Sequence, residues 1–256
     1  MGPGGRRGCA GAGPAAEAAS ATVGGVIDLG RVCALYRTHA ADLARVVEEQ
    51  RRFREATPSM TPQLDDVEAE VTYLLLRDAR PAHVMELGTF HGWSTSWILR
   101  ALRDNGSGHL HSFDRIDNVR RTVPPELAAD RWTFVLGDVR ERLADVPRDA
   151  GYLFVDAAHT ASFARWFLAE LFPLVPAGIP VSVHDVHHGR RVLPLTEGAV
   201  VLRWMREHGV TGFTASRRRA PEAFTRIAEV RAELGLTGAR GTTRNPMLWF
   251  TMPALR

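Results

Sequence analysis

The chain has 256 residues, 45% of them hydrophobic, and a formal net charge of +3. That length allows one sizeable α/β domain with appended elements, no segment approaches the roughly 20 apolar residues that span a bilayer, and the basic residues are too scattered to mark a nucleic-acid partner. All 32 basic side chains are arginine, which excludes Schiff-base, Walker-type and lysine-base chemistry because arginine stays protonated near neutrality.

Residues 1–25 are rich in Gly, Ala and Pro and are expected to be a disordered tail. A signal peptide is the weaker reading: Arg6, Arg7 and Ala19-Ser20-Ala21 suggest one, but Pro14 and Glu17 interrupt a stretch poor in strong hydrophobes. Cys9 and Cys33 form neither a disulfide framework nor a zinc spacing, and a reducing cytoplasm fits them. Apolar residues at helical spacing predict one helix from Ile27 to about Arg54 and another from Leu64 to Arg77. Residues 26–80 are thus expected to form a helical N-terminal extension that lids a catalytic domain over 81–256.

From His83 onward the pattern alternates. Short apolar runs at His83–Leu87, His109–Phe113, Trp132–Leu136, Tyr152–Val155 and Pro180–Val183 read as strands. Helices are expected over Trp93–Arg103, about Asn118–Ala129, Val139–Asp145 and Ala161–Leu174. This is the signature of a doubly wound, Rossmann-like parallel sheet. Acids stand at one strand end after another (Asp114, Asp138, Asp156, Asp185), on the side where such sheets receive ligands. The end of the chain predicts a helix over Thr196–His208, a strand over Val210–Ala215, a helix over Pro221–Leu234 and a last strand over Met247–Met252.

The first strand runs into Glu86-Leu87-Gly88-Thr89-Phe90-His91-Gly92, spaced E-x-G-x-x-x-G, with Ser94 and Thr95 placed to cap the following helix. Taken alone, this is either a cofactor cradle or an ordinary tight turn. It lacks the G-x-G-x-x-G of a dinucleotide site. With the downstream acids, it resembles motif I of the class I S-adenosylmethionine-dependent methyltransferases. The resemblance covers roughly residues 60–252; Phe-Val-Asp-Ala-Ala-His at 154–159 and Val-Ser-Val-His-Asp at 181–185 look like the macrocin O-methyltransferase and cephalosporin-hydroxylase-like natural-product group.

The resemblance implies a seven-stranded sheet with an antiparallel last strand. It also implies a cofactor site of Glu86, Gly88, Gly92, Ser94, Asp114, Asp138 and Asp156. Glu86 would face the cationic end of the cofactor, Asp114 its ribose and Asp138 its adenine. Many relatives carry a divalent metal, and Asp156 and Asp185 are the residues positioned to hold Mg²⁺. The usual neighbouring acid is missing, however, since His184 precedes Asp185 and Val186 follows it. Without lysine, the base falls to His159, His184, His187, His188 or a carboxylate, with His159 and His184 at the strand ends the leading choices.

The His184–His188 cluster admits a metal site, a supported base or a polar loop. Met60 and the helix from Leu64 are placed to cover the cofactor, and 186–200 and 217–245 to shape the acceptor pocket. The expected activity is O-methylation of a small hydroxylated metabolite of sugar or polyketide type. That expectation includes no nucleic-acid or membrane partner, and it leaves room for a homo-oligomer. The alternative is a metal-dependent, hydroxylase-like member of the same fold, with a decayed scaffold protein disfavoured by the intact acids.

Overall fold

A computed structural model describes residues 25–187, 193–242 and 246–255, together with Met1 and Arg244. The expected tail (2–24) and His188 lie outside the described residues. Among those described, the elements in chain order are α1 (Leu29–Thr38), α2 (Ala40–Ala56), α3 (Asp66–Ala79), β1 (His83–Leu87), α4 (Trp93–Asn105), β2 (His109–Asp114), α5 (Val119–Thr122) and α6 (Pro125–Ala128). They continue with β3 (Trp132–Leu136), β4 (Tyr152–Val155), α7 (Ala161–Trp166), β5 (Pro180–Val183), α8 (Glu197–Glu207), β6 (Gly212–Phe213), α9 (Pro221–Glu233) and β7 (Leu248–Thr251).

The strands form one sheet in the order β3-β2-β1-β4-β5-β7-β6. β1 to β5 pair in parallel, and β7 runs antiparallel between β5 and β6. Both faces are covered, so the central strands are largely apolar, with Glu86, Ser112 and Ser182 as buried polar exceptions. The pleat divides them: Val84, Tyr152, Phe154 and Trp249 join a core with α1–α4 and α9, while Met85, Leu87, Leu153, Val155 and Phe250 join a second core with α7 and α8.

The departures from the expected elements have local causes. The leading helix is two helices, broken at His39, where α1 turns off to pack against α3 and α9 while α2 packs against α4. The helix expected over 118–129 is two single turns, because Pro124-Pro125 removes two amide donors and disfavours helical geometry at Val123. Residues 139–145 form only 3₁₀ turns. The helix from Ala161 widens into a π turn over Phe167–Leu171 and closes with a 3₁₀ turn over Phe172–Leu174. β6 is two residues long rather than six.

The helix α3 buries every residue from Asp66 to Leu76. This part of the 26–80 segment is built into the core, and Thr61 and Gln63 just before it border a recess beside Gly88. Among the described residues, no helix is long and apolar enough to cross a membrane.

Candidate active site

The site lies where β1, β2, β3, β4 and β5 end. The turn after β1 must pass under the β4 loop, and a Cβ on Gly88 would sit 1.9 Å from the Asp156 carbonyl oxygen. Gly88 has φ +85°, so the position excludes side chains on two counts. At Gly92, φ +81°, a Cβ would meet Val123 at 2.8 Å, so this glycine serves packing against α5. Phe90, His159 and Asp185 are also left-handed, at φ 45°, 51° and 59°. Three such non-glycine residues stand at neighbouring strand ends and make a strained rim.

Asp114 fastens the glycine turn. Its Oδ2 accepts from the Thr89 amide at 2.7 Å, the Phe90 amide at 2.9 Å and the Thr89 hydroxyl at 2.9 Å. Asp138 caps its own turn through the Arg140 amide at 3.0 Å and forms an ion pair with the Arg140 guanidinium, which holds its carboxyl below the usual range. Gly88, Asp114, Ile116, Asp138, Asp156 and Phe163 line one cleft of ≈ 490 Å³. A cleft of this volume is in the range of small-molecule sites, and Asp138, Asp114 and Asp156 all line it.

Glu86 does not line this cleft. It is fully buried on the α4 side of the sheet, and its two oxygens accept from Ser94 at 2.6 Å, Thr95 at 2.9 and 3.1 Å and Ser112 at 2.6 Å. Burial raises its carboxyl to about 7, against the pull of those hydroxyls. Ser94 and Thr95 are likewise turned to Glu86 rather than capping α4, whose N-cap is Gly92. Ser94 still borders a narrow recess beside Gly88 and Asp156.

At the β4 and β5 ends four carboxylates surround two imidazoles. Asp156 Oδ1 lies 3.1 Å from His184 Nδ1 and 3.3 Å from His159 Nε2, and Asp185 lies 3.2 Å from His184 and 3.8 Å from His159. Glu68 and Glu197, which the sequence reading passed over, complete the ring at 3.4 Å from His184 Nε2 and 3.9 Å from His159 Nδ1. Burial opposes charge on His184, but Asp156 and Glu68 outweigh it and hold the imidazole well above its ordinary value. Glu197 is 3% exposed, and among the described residues neither of its oxygens has a hydrogen-bond partner. Burial, with Asp156 and Asp185 nearby, pushes its carboxyl up to about 8.

One ligand atom each from Asp156, His159 and His184 lie within 4.8 Å of one another. An excess of carboxylates with a buried unpartnered glutamate is a donor set suited to a cation. The only forward signal for Glu68 is the Asp65-x-x-Glu68 spacing, which marks a capping box and indeed forms one. Nothing in the sequence distinguishes Glu197. His187 is not among these clustered ligands: it is buried, and its backbone amide donates to the Pro246 carbonyl at 2.8 Å. His91 Nδ1 instead accepts from the Thr61 amide at 3.0 Å, tying the glycine turn to the segment before α3.

Residues 85–186 match the family described as a methyltransferase domain. An O-methyltransferase from Bacillus cereus, solved with SAH, superposes with a TM-score of 0.56 at 14% identity over 88% of this chain and 100% of that one. The O-methyltransferase TomG from Streptomyces achromogenes, involved in tomaymycin synthesis and solved with SAM, gives 0.53 at 16% identity over 82% and 90%. A methyltransferase from Geobacter sulfurreducens gives 0.51 at 14% over 82% and 90%. At such identities these structures speak to the fold. No functionally curated protein matches the sequence. Residues 85–186 thus carry a methyltransferase domain, and the chain shares the α/β fold of these solved structures.

Proposed function

We propose that the protein methylates a hydroxyl oxygen of a small metabolite of sugar or polyketide type, with His159 as the proton acceptor. The observation that carries this reading is the position of His159. It stands at the β4 end of the cofactor cleft, partly open to solvent, and is held by Asp156 on one ring nitrogen and approached by Glu197 on the other. Bound S-adenosylmethionine supplies an electrophilic methyl on a sulfonium sulfur. Asp114 fits the ribose hydroxyls, Asp138 the adenine edge, and Asp156 and the glycine turn the aminoacyl end. The acceptor O–H gives its proton to His159 as the new O–C bond forms and the S–C bond breaks, leaving a thioether. Alignment by the cleft and proton removal share the catalytic burden. His184, buried between Asp156 and Glu68, suits a positioning role better than that of the base.

The donor set also fits a metal, with Asp156, His159, His184 and Asp185 as its holders. Mixed imidazole and carboxylate donors favour a borderline transition cation over Mg²⁺, which takes oxygen ligands. Such a cation would lower the acceptor hydroxyl's pKa. Two imidazoles and one carboxylate are also the donors of non-haem iron sites, and this observation favours the second reading, a hydroxylase-like relative.

Calorimetry with S-adenosylmethionine tests the cofactor assignment: Asp114→Ala is expected to weaken binding by about 10- to 100-fold, the worth of charge-assisted hydrogen bonds. Unchanged affinity would remove Asp114 from the cofactor site. Methyl transfer to a panel of hydroxylated acceptors, with His159→Gln reduced in kcat by roughly 10²- to 10⁴-fold, tests the base. Near-stoichiometric iron in the purified protein, with no methylated product from any acceptor, would select the second reading.

A further inference from the structure

The two imidazoles at the β4 and β5 ends are placed alike: each turns one nitrogen to the Asp156 and Asp185 carboxylates and the other to a buried glutamate. His159 Nε2 lies 3.3 Å from Asp156 Oδ1 and 3.8 Å from Asp185 Oδ2, while its Nδ1 lies 3.9 Å from Glu197 Oε2. His184 Nδ1 lies 3.1 Å from the same Asp156 oxygen and 3.2 Å from Asp185 Oδ1, while its Nε2 lies 3.4 Å from Glu68 Oε2. The inward nitrogens therefore differ, Nε2 on one ring and Nδ1 on the other, yet both approach one aspartate oxygen.

Donors about 2.0–2.2 Å from a common cation stand about 3–4 Å apart, the range of these inward contacts. A ligating histidine donates its remaining ring N–H to an acceptor behind it, which fixes both the tautomer and the ring orientation. The backbone holds the two glutamates for that task. Glu68 is 1% exposed, and its oxygens accept from the Asp65 and Met247 amides at 3.0 Å each. Glu197 opens α8, and the Thr196 before it is bridged to Thr160, the neighbour of His159, so the chain itself brings glutamate and ring together. The two amides explain why Glu68 is buried. Nothing comparable explains Glu197, whose oxygens accept no hydrogen bond among the described residues. A buried carboxylate without donors is costly, and the Nδ1–H of His159 is the donor its position offers.

We propose that Glu197 and Glu68 are positioning residues that turn His159 Nε2 and His184 Nδ1 onto one divalent transition cation, shared with Asp156. The inference rests on the reading of this cluster as a metal site, and adds to it the two groups that orient the imidazoles and the ring nitrogen each one uses. It concerns the cation-loaded cluster, in which His159 is a ligand rather than the proton acceptor.

Titration of the full chain with Co²⁺, followed by visible absorption and by hyperfine-shifted proton resonances, tests it. The wild-type chain is expected to bind one equivalent and to show two exchangeable ring N–H resonances, Nδ1–H of His159 and Nε2–H of His184. Glu197→Gln keeps the shape of the side chain and is expected to weaken Co²⁺ binding by about 10- to 100-fold. It should also speed solvent exchange of the His159 resonance and leave that of His184 slow, a selectivity that a general loss of charge or of folding would not produce. Glu68→Gln should do the reverse. A wild-type chain that binds no Co²⁺ removes the metal reading and the inference with it. Binding that D156N abolishes, but that E197Q leaves unchanged in affinity and in N–H exchange, keeps the metal site and overturns the role of the glutamates. Should either glutamine variant fail to fold, the wild-type resonances decide: cobalt ligated through Nδ1 of His159 or Nε2 of His184 overturns the proposal.

Discussion

A carboxylate sealed inside a sheet must find donors or a proton, and Glu86 has arranged for both. Three hydroxyls satisfy its oxygens while burial raises its carboxyl to about 7. With a folded-state value above the unfolded one, its contribution to stability is fully present below about 4.5 and is lost as pH rises through about 7. Glu86→Gln is therefore expected to flatten the pH dependence of urea stability across that window. The same variant should keep S-adenosylmethionine affinity within about threefold, because the side chain faces α4. A tenfold loss of affinity would return Glu86 to the cofactor site. The residue also shows what motif spacing leaves open. E-x-G-x-x-x-G gives the distance along the chain, whereas pleat parity decides that Val84 and Glu86 look one way and Met85 and Leu87 the other.

At the scale of elements, the strand ends were the most legible part of the chain. Buried parallel strands are continuous apolar runs, and β1, β2, β3, β4 and β5 fall within a residue of their expected bounds. The connections were less legible, because short helices depend on what they pack against. Pro124-Pro125 did carry a visible warning against one helix over 118–129. The glycine turn is where element and site meet: Gly88 permits β1 to pass beneath the β4 loop, and Asp114 then secures the turn. Gly88→Ala is expected to destabilise the fold by about 2–4 kcal/mol, from left-handed strain together with a backbone clash. Thermal denaturation measures this. A change below about 0.5 kcal/mol would mean that the turn and the Asp156 loop can move apart freely.

At the scale of the molecule, one helix holds the N-terminal and C-terminal parts together. On α3, Asp66 accepts from the amides of Ala239, Arg240 and Gly241, and Glu68 accepts from Met247. Glu70 forms a two-pronged pair with Arg231 of α9 at 2.8 and 2.9 Å. Through Glu68 the same helix reaches His184, so the tie and the site are one construction. Removing Arg231 strands a buried carboxylate, and breaking such a pair costs about 3–5 kcal/mol. Burial already pushes Glu70 up to about 7 despite Arg231. Arg231→Met is thus expected to lose most of that amount in urea unfolding at pH 8 and less at pH 5, where Glu70 takes a proton. An equal loss at both pH values would show that packing, not charge, supplies the tie.

The amino-acid order alone determined the layering of this protein, its strand ends and the acids Asp114, Asp138 and Asp156, because those depend on local apolar runs and turn chemistry. Only the tertiary structure decided that Glu86 serves the core, that Glu68 and Glu197 join His159 and His184, and that the polar face of α3 is buried against the C-terminal segment. Those outcomes rest on which strands become neighbours and which face each side chain takes. Such contacts cross between elements, and those of α3 with the C-terminal segment join residues 173 to 179 positions apart, so no local spacing encodes them.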